Sequence, residues 1–157
     1  YIFLYVKNSD IFNAEISKII YNLIANYHLE NTVVVESLNP FFLTSMRFIS
    51  QDVQLMYDFI TNAQTIDEEM QSQTNKLPWI LKQPFVQKQI RRIMCPDILG
   101  PRWNIEQELI KSLVDHGYTI VTWTVNEAEL AQKMFALGVK GVQTNYPLML
   151  EHHMEIK

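Results

Sequence analysis

The chain has 157 residues, 48% of them apolar, 11% aromatic and 19% charged. That is enough large apolar material for one buried core, and it excludes a disordered or low-complexity chain. Thirteen Lys and Arg against seventeen Asp and Glu leave a formal net charge of −4, so no global basic field draws it onto nucleic acid.

The single Cys95 excludes an internal disulfide framework, no Cys/His cluster has zinc spacing, and no apolar run reaches the roughly 20 residues that span a bilayer. The chain opens on Tyr1 rather than Met, with no signal-peptide pattern, and is expected to be a piece of a longer one. In chain order, residues 2–6 form a short β-prone run closed by the polar stretch 7–10. Ser9 or Asp10 is placed to cap a helix over about 11–27, in which Ile16, Ile19, Ile20, Leu23 and Ile24 share one face. Residues 32–35 read as a second strand, with Val33, Val34 and Val35 apolar in unbroken succession, the mark of a strand buried on both faces of a parallel sheet. A helix over 41–49 follows, with Pro40 at or near its first position, and 53–60 reads as a third strand.

Residues 61–92 break the rhythm. They open acidic with Asp67, Glu68 and Glu69, then turn apolar and basic, and are too long for an ordinary βα connection. An insertion carrying one or two helices is expected there. Regularity returns with a short strand over 93–98 interrupted by Pro96, a turn at Gly100 and Pro101, and a helix over 105–116 capped by Asn104 and stopped at Gly117. Residues 118–125 form a strand, and Asn126 caps a helix that runs to Leu137 and ends at Gly138. A last strand over 139–144 leads through Pro147 into a final helix.

This is β-α repeated about six times, which implies a parallel sheet or barrel with helices outside. The four glycines, at 100, 117, 138 and 141, sit at turns and helix ends and form no dinucleotide or phosphate loop. Six units fall short of the eight of a (β/α)8 barrel, which takes about 250 residues.

The segment from Gly117 through Trp123-Thr124-Val125-Asn126, followed by Gly138-Val139-Lys140-Gly141-Val142-Gln143-Thr144-Asn145-Tyr146-Pro147, resembles the C-terminal signature of the glycerophosphodiester phosphodiesterase family. That family carries Trp-Thr-Val-Asn and then Gly-Val-x-Gly-x-x-Thr-Asp-x-Pro, so Asn145 stands where the family has Asp. Val33-Val34-Val35-Glu36-Ser37-Leu38-Asn39-Pro40 is similar to the family's strand ending in Ser-Phe, with Leu38 for Phe. The opening Phe3-Leu4-Tyr5-Val6-Lys7 resembles its Glu-x-Lys strand, with Tyr5 at the position of the metal-ligating Glu. The likeness covers nearly all of the chain except 61–92.

The resemblance implies an α/β fold, the C-terminal portion of a (β/α)8 TIM-type barrel of the phospholipase C-like phosphodiesterase kind, with 1–157 a partial domain and 61–92 its insertion. It implies hydrolysis of a glycerophosphodiester to sn-glycerol 3-phosphate and an alcohol. A divalent metal, Ca²⁺ or Mg²⁺, polarises the phosphate, and two histidines act as acid and base. Those groups belong to His-Arg-Gly, Glu-x-Asp and His-Asp motifs that this sequence does not contain. A neutral phenol at Tyr5 is a poor ligand for a hard cation, so no metal ligand is assigned and the chain alone is expected to be inactive. Two functions follow: part of a phosphodiesterase whose other barrel half lies elsewhere, or a noncatalytic barrel module that binds a phosphodiester or a protein.

In such a barrel the site collects at the C-terminal ends of the strands, which brings forward Lys7, Ser37, Trp123 and Thr144. Lys7 is the catalytic candidate, its ammonium facing a phosphate oxygen, with a solvated strand-end lysine as the alternative. Ser37, Trp123 and Thr144 are substrate-binding candidates, against a turn hydroxyl for Ser37 and a barrel-filling aromatic for Trp123. His28 and His116 sit at helix C-termini, where an imidazolium suits the dipole, and His152 and His153 lie in the tail; all four read as structural or exposed. Cys95 lacks a basic or histidine neighbour and is expected to be buried and inert. Residues 76–92 hold Lys76, Lys82, Lys88, Arg91 and Arg92 with no acid, beside Trp79 and Phe85. That mix suits either contact with an anionic membrane surface or a lid helix with solvated lysines.

Overall fold

Val33, Val34 and Val35 offer no polar alternation, and the strand they open, β2 (Val33–Ser37), is buried along its whole length. In the computed structural model, which describes residues 1–7, 15–61 and 78–154 with the side chains of 153 and 154 excepted, β2 pairs in parallel with β1 (Ile2–Tyr5) on one side and β3 (Gln54–Phe59) on the other. The register aligns Tyr5 with Glu36 and Glu36 with Met56. The expected cap at Ser9 or Asp10, and the stretch with Asp67, Glu68, Glu69 and Lys76, lie outside the described residues.

These three strands belong to a compact unit spanning Tyr1–Asp97. It also holds α1 (Glu15–Asn26), α2 (Pro40–Ile49), a 3₁₀ turn at Trp79–Lys82 and α3 (Pro84–Met94). Asn39 starts α2: its side chain accepts from the Phe41 and Phe42 N–H groups, with Pro40 behind it at a position that lacks a donor to satisfy. Phe42, Leu43 and Met46 of α2 and Leu55 and Met56 of β3 are fully buried, each contributing about 1.5–3 kcal/mol. The apolar arc of α1 is wider than its contact. Ser17 and Ile24 face inward, and the Ser17 hydroxyl donates to the Phe42 carbonyl, whereas Ile19 and Leu23 are more than half exposed.

Arg47 closes the opposite end of this unit. Its guanidinium donates to the carbonyls of Gln51, Val53, Met94 and Cys95 and pairs with Asp97. The Asp97 carboxylate also accepts from the Leu55 N–H, and the Asp97 N–H donates to the Leu55 carbonyl.

The second unit, Ile98–Lys157, alternates β4 (Ile98–Pro101), α4 (Gln107–Asp115), β5 (Thr119–Thr122), α5 (Ala128–Ala136), β6 (Gly141–Val142) and α6 (Pro147–Met154). Strand β5 pairs in parallel with β4 and β6. The fourth strand starts later than the sequence predicts. α3 runs through Met94 and stops at Cys95 in the left-handed conformation, φ 49°, so the strand begins beyond Pro96 and takes in Gly100 and Pro101. Proline is tolerated there because it sits at the strand's end. Cys95 is exposed, not buried. Both helices start later than the asparagines predict: α4 and α5 begin after Glu106 and Glu127, which make no side-chain cap bond. Gly117 and Gly138 do end their helices, at φ 85° and 93°, as the left-handed stop requires.

Candidate functional site

The C-terminal ends of β1, β2 and β3 carry a set of buried polar groups, Glu36, Ser37 and Asp58. Side chains alternate along a strand, so Tyr5, its register partner Glu36, and Asp58, two residues beyond Met56, share one face. Glu36 and Asp58 are buried, and Tyr5 is 41% exposed. Burial, then the negative charges of Asp58 and Glu36, push the Tyr5 phenol up to about 12, so it is neutral at physiological pH.

Lys7 follows two residues after Tyr5 and is exposed. The buried Ser37 hydroxyl donates to the Val6 carbonyl at 2.8 Å and accepts from the Asn39 N–H at 3.1 Å. The hydroxyl thus binds the end of β1, which carries Tyr5 and Lys7, to the start of α2. Lys7 thus follows directly on a backbone carbonyl that Ser37 holds.

On the opposite face of β3, Tyr57 stacks on Phe59 with ring centroids 5.7 Å apart, and the buried Arg91 guanidinium lies 5.6 Å from the Phe59 centroid. The Gln87 amide donates to the Ile60 carbonyl at 2.7 Å. Tyr57, fully enclosed, is raised far above the usual tyrosine value by burial. α3 thereby fixes the end of β3 from behind.

In the second unit Trp123 is half-buried, follows directly on β5, and donates from its indole N–H to the Gly100 carbonyl at 2.7 Å. Its backbone bridges Arg102, a buried cation just beyond β4, and the Trp123–Thr124 peptide is cis. The Thr144 hydroxyl donates to Asn126 Oδ1 at 3.2 Å, Asn145 N–H to the same oxygen at 3.0 Å, and Tyr146 N–H to the Thr144 oxygen at 3.0 Å. Asn126 is therefore the hub of the β6–α6 loop rather than a helix cap, and Asn145 takes part through its backbone.

The histidines stand where the sequence put them: His28 just past α1, His116 at the end of α4 and His152 exposed on α6. The side chain of His153 lies outside the described residues. Sequence reasoning missed Glu36 and Asp58. The available signal was a carboxylate directly after the apolar run 33–35 and another within the run 55–60, where charge is rare without a task or a partner.

The residues present do not fit the divalent metal that the family resemblance implies. The position of its carboxylate ligand is a neutral phenol, and among the described residues no group of three His, Cys, Asp or Glu could hold a metal ion.

The model of the glycerophosphoryl diester phosphodiesterase family matches residues 4–149. Lysophospholipase D GDPD3 of Mus musculus is 36% identical over 55 residues, 34% of this chain and 17% of the mouse protein. The solved glycerophosphodiester phosphodiesterase of Parabacteroides distasonis matches with a TM-score of 0.68 at 15% identity, over 98% of this chain and 56% of its own. A phosphodiesterase of Oleispira antarctica, solved in complex with the product sn-glycerol-3-phosphate, matches with a TM-score of 0.59 at 16% identity, over 78% of this chain and 42% of its own. The chain thus spans about half the length of these solved relatives and a smaller share of the mouse protein. At such identities the structural likeness shows the fold: α/β of TIM-barrel type, with six βα units among the described residues.

Proposed function

This chain belongs to the glycerophosphoryl diester phosphodiesterase family, and from that premise we propose that it is the C-terminal part of a phosphoric diester hydrolase acting on glycerophosphodiesters in lipid metabolism. We read residues 1–157 as one partial domain, inactive alone, whose parent supplies the other barrel half. The observation that carries this reading is the Asn126 hub: it joins the two halves of the signature, Trp123–Asn126 and Thr144–Pro147, through hydrogen bonds at the ends of β5 and β6. The relative named lysophospholipase D supports a diester with a lipid-derived glycerol half.

In this proposal the Lys7 ammonium contacts a phosphate oxygen, charge-assisted and free to follow the substrate because it is exposed. The half-buried Trp123 ring walls the glycerol or alcohol group, held in orientation by its bond to Gly100. Thr144 shapes the adjoining loop, and Ser37 acts by holding the β1 end that presents Lys7. In the complete family domain a divalent metal would supply Lewis-acid polarisation of the phosphate. No residue of this chain is assigned to hold it, and the proton-transfer histidines belong to the motifs absent from this sequence.

The second reading, a noncatalytic barrel module that binds a phosphodiester or a protein, is favoured by Tyr5 at the ligand position. One experiment separates them: glycerophosphocholine and lysophosphatidylcholine hydrolysis with Ca²⁺ or Mg²⁺, measured for the chain, for the complete parent, and for the parent with Tyr5→Glu. The leading proposal expects no turnover from the chain, turnover from the parent, and at least a tenfold change with the restored carboxylate (roughly 1.4 kcal/mol). A parent silent with every metal, with and without Tyr5→Glu, while still binding glycerophosphocholine, establishes the module instead.

A further inference from the structure

Trp79, Ile80 and Phe85 fall within seven residues of one another and are 69%, 43% and 71% exposed. Scattered exposed apolar residues are ordinary, but three large ones this close in the chain, two of them aromatic, point to a surface that meets something apolar. The cations around it are as local as the aromatics. Along α3, Phe85, Lys88 and Arg92 recur at i, i+3 and i+7 and are all exposed, which places them on one helix face. Lys82 ends the 3₁₀ turn that carries Trp79 and Ile80. Residues 78–96 contain no Asp or Glu, although the chain as a whole carries −4. Arg91 is not part of this face, because it is buried against Phe59.

The patch is anchored to the end of β3. Leu81 between Ile80 and Lys82 is buried, and a shallow pocket is lined by Tyr57, Asp58 and Ile60 together with Leu81, Lys82 and Gln87. The Gln87–Ile60 bond fixes α3 to the same strand end. The exposed cluster is therefore displayed beside the C-terminal end of β3, the side on which barrels of this type gather their sites.

We propose that Trp79, Ile80 and Phe85, ringed by Lys82, Lys88 and Arg92, dock on an anionic lipid surface and turn the C-terminal end of β3 toward it. Lysine is depleted from protein–protein contact surfaces, whereas aromatic side chains flanked by Lys and Arg match the apolar boundary and charged headgroups of a bilayer. The inference rests on the lipid-derived substrate of the preceding section, and it extends that reading by naming the surface from which the substrate is taken.

The test is co-sedimentation of the chain with phosphatidylcholine vesicles with and without phosphatidylserine, which requires no turnover. Binding is expected to the phosphatidylserine vesicles and to weaken in ~0.5 M salt. The surface variant W79S/F85S is expected to lower the partition coefficient at least tenfold. K82E/K88E is expected to do the same on anionic vesicles while leaving binding to pure phosphatidylcholine unchanged. No binding to either vesicle, or binding that both variants leave intact, overturns the proposal even if the parent hydrolyses soluble diesters. Binding with the expected losses upholds it even if the parent proves inactive, so the two readings fail separately.

Discussion

Tyr5 and Glu36 stand opposite each other in the β1–β2 ladder, a phenol against a buried carboxylate, with Asp58 on the same face from β3. The pairing works because the phenol keeps its proton. Burial and the two carboxylates raise it to about 12, and a second anion beside Glu36 and Asp58 would be repelled.

This arrangement predicts an alkaline loss of stability. A tyrosine whose folded value lies above its unfolded value of ~10 binds more protons in the native state once the pH passes 10. Stability from Tyr5 is fully present below pH ~10 and declines as the pH rises toward 12. The buried Tyr57, also raised, adds a slope of up to about 1.4 kcal/mol per pH unit, and the 41%-exposed Tyr5 adds less because solvent screens it. Urea denaturation at pH 8, 10 and 11 should give falling midpoints, and Tyr5→Phe should flatten the fall. A midpoint constant to pH 11 contradicts the account.

The Asn126 hub predicts a loss unlike that of a helix cap. Asn126→Ala removes the acceptor for both Thr144 and Asn145 and should cost about 1–2 kcal/mol. Amide exchange should accelerate at Asn145, with the first turn of α5 unaffected. Asn126→Asp keeps an accepting oxygen and should stay near the parent in thermal denaturation. Exchange that rises in α5 instead would restore the capping role read from the sequence.

Gly117 and Gly138 share a left-handed backbone but not their surroundings. A Cβ on Gly117 meets nothing within 4 Å, whereas one on Gly138 comes within 2.8 Å of Val114 Cγ1. Both alanine variants carry the cost of φ > 0, about 1 kcal/mol, and Gly138→Ala adds the collision for a total of about 2–3 kcal/mol. Val114→Ala should recover only the added part, giving a coupling of at least ~0.5 kcal/mol in a double-mutant cycle. Equal costs at the two glycines would remove the contact from the account.

Wherever one local pattern dominates, the sequence alone determined the outcome. The unbroken Val33–Val35 run gave a strand buried throughout, Pro40 marked the start of α2, and Gly117 and Gly138 ended their helices, because burial and backbone conformation there are set within a few residues. The signature around Trp123 and Thr144 was legible for the same reason: each of its two halves is contiguous. Tertiary structure decided the rest. Whether Asn126 caps α5 or receives Thr144 and Asn145, whether Ile19 and Leu23 are covered, and where β4 begins after Cys95 depend on partners far along the chain, as the hydrogen bonds of Arg47 to Met94 and Cys95 illustrate. The facing of Tyr5, Glu36 and Asp58 is of this kind as well. Each lies on a different strand, and only the parallel register, fixed by ladder pairing across three chain segments, sets a phenol among two carboxylates and holds its proton.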